Sequence, residues 1–167
     1  MQNITLTTLN FSTLALFGLI AGFFYAFSVC VMPGLNRIQP TAAIAAMQAI
    51  NEAVRNPVFF VTFFLTPVFA LASAIAAYQG GQAKAALVMA IAAAAYFTLA
   101  LLLTARINVP MNEGLAVVDA TPENAQMIWD DYSNRWTLWN TARTLTSLAS
   151  MLIFAAGMIM QARPAQF

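Results

Sequence analysis

Between Trp129 and Ser150 the sequence repeats aromatic and polar side chains at spacings of three and four. Trp129, Tyr132, Trp136, Trp139 and Arg143 share one helical face, and beside them Trp136, Asn140, Arg143, Ser147 and Ser150 form a polar stripe. Arg143 is the pivot of both. A guanidinium below the entrance of an apolar helix costs about 2.5 kcal/mol or more on insertion scales unless it meets a partner or a water-filled cavity. Either it snorkels to the lipid headgroups with the tryptophans as an interfacial belt, or the stripe leads into a site. A second polar group precedes it, Arg106-Ile107-Asn108-Val109-Pro110-Met111-Asn112-Glu113. Asn108 and Asn112, four residues apart, offer amide and carbonyl groups that serve a site or only a helix stop. Tyr25, beside the small-residue ridge Gly18-x-x-x-Gly22-x-x-x-Ala26, brings a hydroxyl to mid-membrane and is expected to find a partner there. The ridge itself suits close helix packing within the chain or between two copies of it.

Several chemistries are excluded by missing residues. The chain has no histidine and a single cysteine, Cys30. Histidine-ligated haem, a histidine–carboxylate di-iron site, a Ser-His-Asp triad, a structural zinc site and a cysteine-ligated iron–sulfur cluster are therefore unavailable. No phosphate-cradling glycine loop occurs. The net charge of +1 without a basic cluster leaves no footprint for nucleic acid.

The elements that must carry these residues are membrane spans. Of 167 residues, 61% are hydrophobic and 8% charged, against about 25% charged in an average soluble domain. Spanning the hydrocarbon takes about 20 helical residues. Four runs qualify, about 6–32, 57–78, 85–105 and 139–160, in one domain covering 1–167. The first run lacks a basic n-region and is expected to remain as a helix. Asn56-Pro57 opens the second span as cap and first helical residue, Gly80-Gly81 closes it, and Pro67 should kink it, freeing a carbonyl for Thr62, Thr66 or a neighbouring helix. The predicted fold is all-α: a transmembrane four-helix bundle with an additional amphipathic helix in the first long connection and a helical extension before the fourth span.

Both long connections fall on one side. They hold all six acids, Glu52, Glu113, Asp119, Glu123, Asp130 and Asp131. Arg37, Arg55, Arg106, Arg135 and Arg143 lie on that side against Lys84 and Arg163 on the other, which by the positive-inside rule faces it to the cytoplasm. With carboxylates confined to the connections, no acidic relay runs through the spans, which disfavours transport. In the first connection Ala42–Val54 reads as a helix able to lie across the bundle mouth, with Gln48, Glu52 and Arg55 on one face. In the third, Thr121-Pro122-Glu123 reads as a helix start.

Taken in order, Gly18-x-x-x-Gly22, Met32-Pro33-Gly34-Leu35, Asn56-Pro57, Asn108-x-Pro110-Met111-Asn112-Glu113 and Trp136-x-x-Trp139-Asn140-x-x-Arg143 resemble the anthrone oxygenase-like family of small membrane proteins across nearly the whole chain. Fungal members oxidise anthrones to anthraquinones with O2, using neither metal nor organic cofactor. The resemblance thus implies no cofactor, a hydrophobic aromatic small molecule as ligand, the lipid bilayer as surroundings and a bacterial inner membrane as location. By position it points to Asn112, Trp139 and Arg143. Met111 and Glu113 stand where fungal members more often have Thr and Asn. In that chemistry Arg143 would stabilise the oxyanion, Asn112, Asn108 and Asn140 would orient carbonyl and peri-hydroxyl groups, and Trp136 and Trp139 would stack on the ring plane, with Tyr25 nearby. Glu113 is the first candidate for general base and Asp131 the second. The competing expectations are a non-catalytic accessory subunit holding a lipid or quinone and a small transporter, and the Gly18/Gly22/Ala26 ridge offers a surface for a homo-oligomer.

Overall fold

The structure, a computed structural model, describes residues 4–162; Arg163 lies outside the described residues. Four helices are long and apolar enough to cross a membrane: α1 (Ile4–Leu35), α3 (Pro57–Gln79), α4 (Ala83–Ala116) and α5 (Ala125–Ala162). The short α2 (Pro40–Ala53) follows α1. The protein is an integral membrane four-helix bundle, in which α1 packs on α3 and α5, and α4 packs on the same two. α2 rests on the end of α4 and the start of α5, across the mouth of the bundle. It is amphipathic: Ala43, Ile44, Met47 and Asn51 are its buried residues.

Turn chemistry fixes the connections. Asn56 Oδ1 accepts from the Phe59 amide at 3.0 Å while its Nδ2 donates to the Ala53 carbonyl at 2.9 Å, so one side chain caps α3 and ties it to α2. At the opposite end Gly81 takes φ of 79°, a left-handed conformation that L side chains rarely adopt. That end is closed by Asn10, whose Nδ2 donates to Gln161 Oε1 at 2.7 Å, and by Gln82, whose Nε2 donates to the Gln161 carbonyl at 2.7 Å.

Two boundaries differ from those read in the sequence. The third span does not stop at Ala105 but continues to Ala116. Phe97–Leu102 and Thr104–Asn108 widen into π-helical turns, and Pro110 falls in the first turn of the α-helical segment Val109–Ala116, where its missing N–H leaves no bond broken. Asn108 and Asn112 therefore stack on one helix face instead of lining a loop. Likewise α5 begins at Ala125 and not at Pro122: the Thr121 carbonyl accepts from Asn124 and Ala125 while Asn124 Oδ1 accepts from the Thr121 amide at 2.9 Å, forming a reciprocal turn just before the helix.

Pro67 frees the Phe63 carbonyl, and a neighbouring helix takes it: the Tyr96 hydroxyl of α4 donates to it at 3.2 Å. Tyr96 is fully buried, edge-on to Phe17 at 5.4 Å between centroids, in a cluster with Phe24, Met89 and Phe154. Of the glycines, Gly157 is the most closely covered: an added Cβ would lie 2.7 Å from Met89 Cγ and 3.3 Å from the Ala85 carbonyl. Gly22 of the ridge has nothing within 4 Å of such a Cβ. Gly157→Ala should thus overpack the α4–α5 contact and cost about 1–3 kcal/mol, read as a lower thermal midpoint of the purified protein, whereas Gly22→Ala should leave the midpoint of the monomer unchanged.

Candidate active site

The polar stripe of α5 faces inward. Trp136, Asn140, Arg143, Ser147 and Ser150 are all buried. Arg143 is 4% exposed. Its Nη1 donates to Thr104 Oγ1 at 3.1 Å and its Nη2 to Asn140 Oδ1 at 2.8 Å. Asn140 is held in turn, its Nδ2 donating to the Phe24 carbonyl at 2.7 Å and to Ser28 Oγ at 2.8 Å. Ser28 completes the chain with Thr141 at 3.0 Å. α1 widens into a π-helical turn at Phe27–Val31, directly after the carbonyl that Asn140 takes. The guanidinium carbon lies 4.3 Å from the centroid of Phe24 and 5.4 Å from that of Trp136, close enough for cation–π attraction to both. No carboxylate reaches it: the one ion pair among the described residues joins Arg135 to Asp131 on the surface at 3.6 Å.

Above Arg143 a second network centres on Asn112. Its Oδ1 accepts from Trp136 Nε1 at 2.8 Å and from the Tyr132 hydroxyl at 2.9 Å. With the oxygen doubly engaged, the amide N–H groups are the part of Asn112 left for a ligand. Asn51 Nδ2 of α2 donates to the Tyr132 hydroxyl at 3.3 Å. Gln48 Nε2 caps the end of α4 by donating to the carbonyls of Leu115 at 2.9 Å and Val118 at 3.0 Å, and Trp129 Nε1 donates to Asn36 Oδ1 at 2.9 Å. These bonds pin α2 and the start of α5 over the mouth.

Between these two networks lies a cavity of about 290 Å³, at the small end of ligand pockets. Phe24, Phe59 and Phe63 form apolar wall, Trp136 and Arg143 another, and Asn112 and Glu113 a polar edge. Of the residues singled out in the sequence, Arg143, Asn112, Glu113 and Trp136 come together here. Asn140 stands behind Arg143 and positions it. Asn108 is 1% exposed, and neither of its polar side-chain atoms has a partner among the described residues; it sits a turn below Asn112 and does not line the cavity. Trp139 and Tyr25 are not brought in. Tyr25 is 58% exposed on the outer face of α1, and Trp139, turned roughly 60° from the centre of the buried stripe at 100° per residue, is exposed on α5. Asp131 also lies outside the cavity, paired with Arg135.

Sequence reading missed Asn51, Ser28, Thr104 and Phe24. Asn51 was legible, since Ile44, Met47 and Asn51 repeat at three and four, a different face of α2 from Gln48, Glu52 and Arg55. The others had no local signal, because what recruits them is Arg143 arriving from another helix.

A sequence profile of the anthrone oxygenase family matches residues 57–153, from the start of α3 through most of α5. The chain belongs to that family. No curated protein and no solved structure matches it. The matched segment carries the Arg143, Asn112, Glu113 and Trp136 side of the cavity; the Phe24 side and the α2 cover lie outside it.

Held by neutral dipoles, Arg143 contributes a buried charge that no carboxylate among the described residues neutralises. Replacing such a charge by an apolar side chain of similar volume is often neutral or stabilising. Arg143→Met is therefore expected to keep or raise the thermal midpoint of the purified protein. A drop of more than about 3 kcal/mol, the scale of breaking a buried pair, would show that Arg143 is chiefly structural.

Proposed function

We propose that this protein is an oxygenase that acts with O2 on a planar phenolic aromatic of the anthrone class, using no metal or organic cofactor. The observation that carries the reading is Arg143: a cation without a carboxylate partner, held in the wall of an aromatic-lined cavity beneath the amide of Asn112. Such an arrangement favours a ligand that becomes anionic and flat. Family membership supports the same chemistry.

In this mechanism the substrate lies between the phenylalanines and Trp136, its carbonyl oxygen towards Arg143 and a peri-hydroxyl towards Asn112. Glu113, exposed at the cavity edge, takes a proton from the methylene opposite the carbonyl. The resulting negative charge spreads through the rings onto the oxygen beside the guanidinium, which binds the anion more strongly than the neutral substrate. The anion gives one electron to O2, the radical pair closes a carbon–oxygen bond as a peroxide anion, and the proton held by Glu113 returns to give the hydroperoxide. Loss of the remaining methylene proton together with hydroxide from the peroxide leaves the carbonyl and releases water. The sum is methylene plus O2 giving carbonyl plus water, with both oxygen atoms accounted for and no protein group oxidised. A bacterial inner membrane, with the long connections and the cavity mouth on the cytoplasmic side, is the location this reading adopts.

Oxygen uptake by the purified protein on 1,8-dihydroxyanthrone, corrected for autoxidation, tests the assignment. Arg143→Met is expected to lose about 100-fold or more, the effect of removing one preorganised donor. Asn112→Ala should raise KM and lower kcat, and Glu113→Gln should lower kcat. Tyr25→Phe, on the outer face, should match the parent protein. Full activity in Arg143→Met would end the proposal.

A further inference from the structure

We propose that the cavity is filled sideways from the bilayer, through a slot between α3 and α4 flanked by Phe60 and Phe64 on one helix and Ala105 and Val109 on the other. This deepens the reading above and rests on it for the class of ligand. All four residues line the cavity, yet all four are also exposed on the outside of the bundle, with Phe60 at 42%, Phe64 at 50% and Val109 at 36%. The lining of the cavity is thus continuous with the lipid-facing surface at this one edge. Of the three charged residues that line the cavity, Arg143 is buried in its wall and Arg55 and Glu113 are exposed at its rim, whereas the α3–α4 slot itself is flanked by apolar side chains.

The alternative approaches are covered by hydrogen-bonded or packed elements, apart from the charged rim at Arg55 and Glu113. From the aqueous side, α2 is fastened by Gln48 to the Leu115 and Val118 carbonyls and by Asn51 to Tyr132. On the other flank of α3, a groove of about 490 Å³ between α1 and α3 meets the cavity only at a partition that includes Phe23, Phe27 and Phe59. Phe23 sits 4.9 Å from Phe27 and 5.0 Å from Phe59 between ring centroids, so aromatic rings pack across the partition. A flat apolar molecule already dissolved in lipid meets neither barrier at the α3–α4 slot. The slot admits a planar ring system edge first, with the oxygen-bearing edge leading towards Arg143 and the methylene edge trailing towards Glu113.

The test uses 1,8-dihydroxyanthraquinone, which binds without reacting, added to the full-length protein in lipid nanodiscs and followed by quenching of tryptophan fluorescence in a stopped-flow instrument. Ala105→Phe narrows the slot and is expected to slow association and dissociation together, each by about tenfold; Phe64→Ala widens it and should speed both. A wall contact without a passage role would instead leave association unchanged and speed dissociation in Ala105→Phe, and that result overturns the proposal. It is equally overturned if Gln48→Ala, which loosens α2, accelerates binding, if Ala53→Trp in the α1–α3 groove slows it, or if the parent protein shows no saturable quenching. Because the probe does not turn over, a protein that binds it through the slot but consumes no oxygen refutes the oxygenase reading and leaves the port standing.

Discussion

Everything around the cavity answers to one constraint: a guanidinium deep in an apolar bundle must be kept in place without being neutralised. A carboxylate beside Arg143 would relieve its burial and at the same time occupy it. The protein uses neutral groups instead. Thr104 and Asn140 accept two of its N–H groups, Phe24 and Trp136 supply ring faces, and Asn140 is locked by the backbone of α1. Three helices, α1, α4 and α5, are thereby given a fixed register at the level where the ligand lies.

The backbone irregularities serve the same end. π-helical turns occur in α1 directly after the carbonyl taken by Asn140, and in α4 around Thr104 and up to Asn108. Each changes the local winding of its helix, and in α4 the π-helical turns lie where Thr104, Ala105 and then Asn112 reach the cavity. Pro67 in α3 leaves a carbonyl open, and Tyr96 fills it from α4, joining these two helices just below the place where they part around the cavity.

Much of this was legible. Spans, caps, the Gly80-Gly81 turn, the helix over the mouth and the inward polar stripe of α5 all follow from periodicity and from the cost of unpaired backbone in lipid. What failed was local in origin. Pro110 reads as a stop because an ideal helix would lose a bond there, and only the preceding π-helical turns remove that penalty. Trp139 satisfies a three-and-four spacing count yet lies at the edge of the stripe, since the count tolerates a drift that the real face does not. Tyr25 was expected to find a partner because a lone hydroxyl in hydrocarbon is costly, but it sits on the outer surface of α1. Gly157 carries no motif at all; its small size matters only because Met89 and Ala85 of another helix close on it.

The cavity also has a floor. Below Arg143 the bundle is filled by Phe17, Phe63, Tyr96, Phe154 and Met89, packed edge to face, with no opening towards the Gly80-Gly81 end. A blind-ended chamber of this size holds one flat molecule at a time. Under the proposed oxygenase activity and bilayer port, product must back out before the next substrate arrives, so quinone accumulating in the surrounding membrane would compete with its own precursor for the single berth.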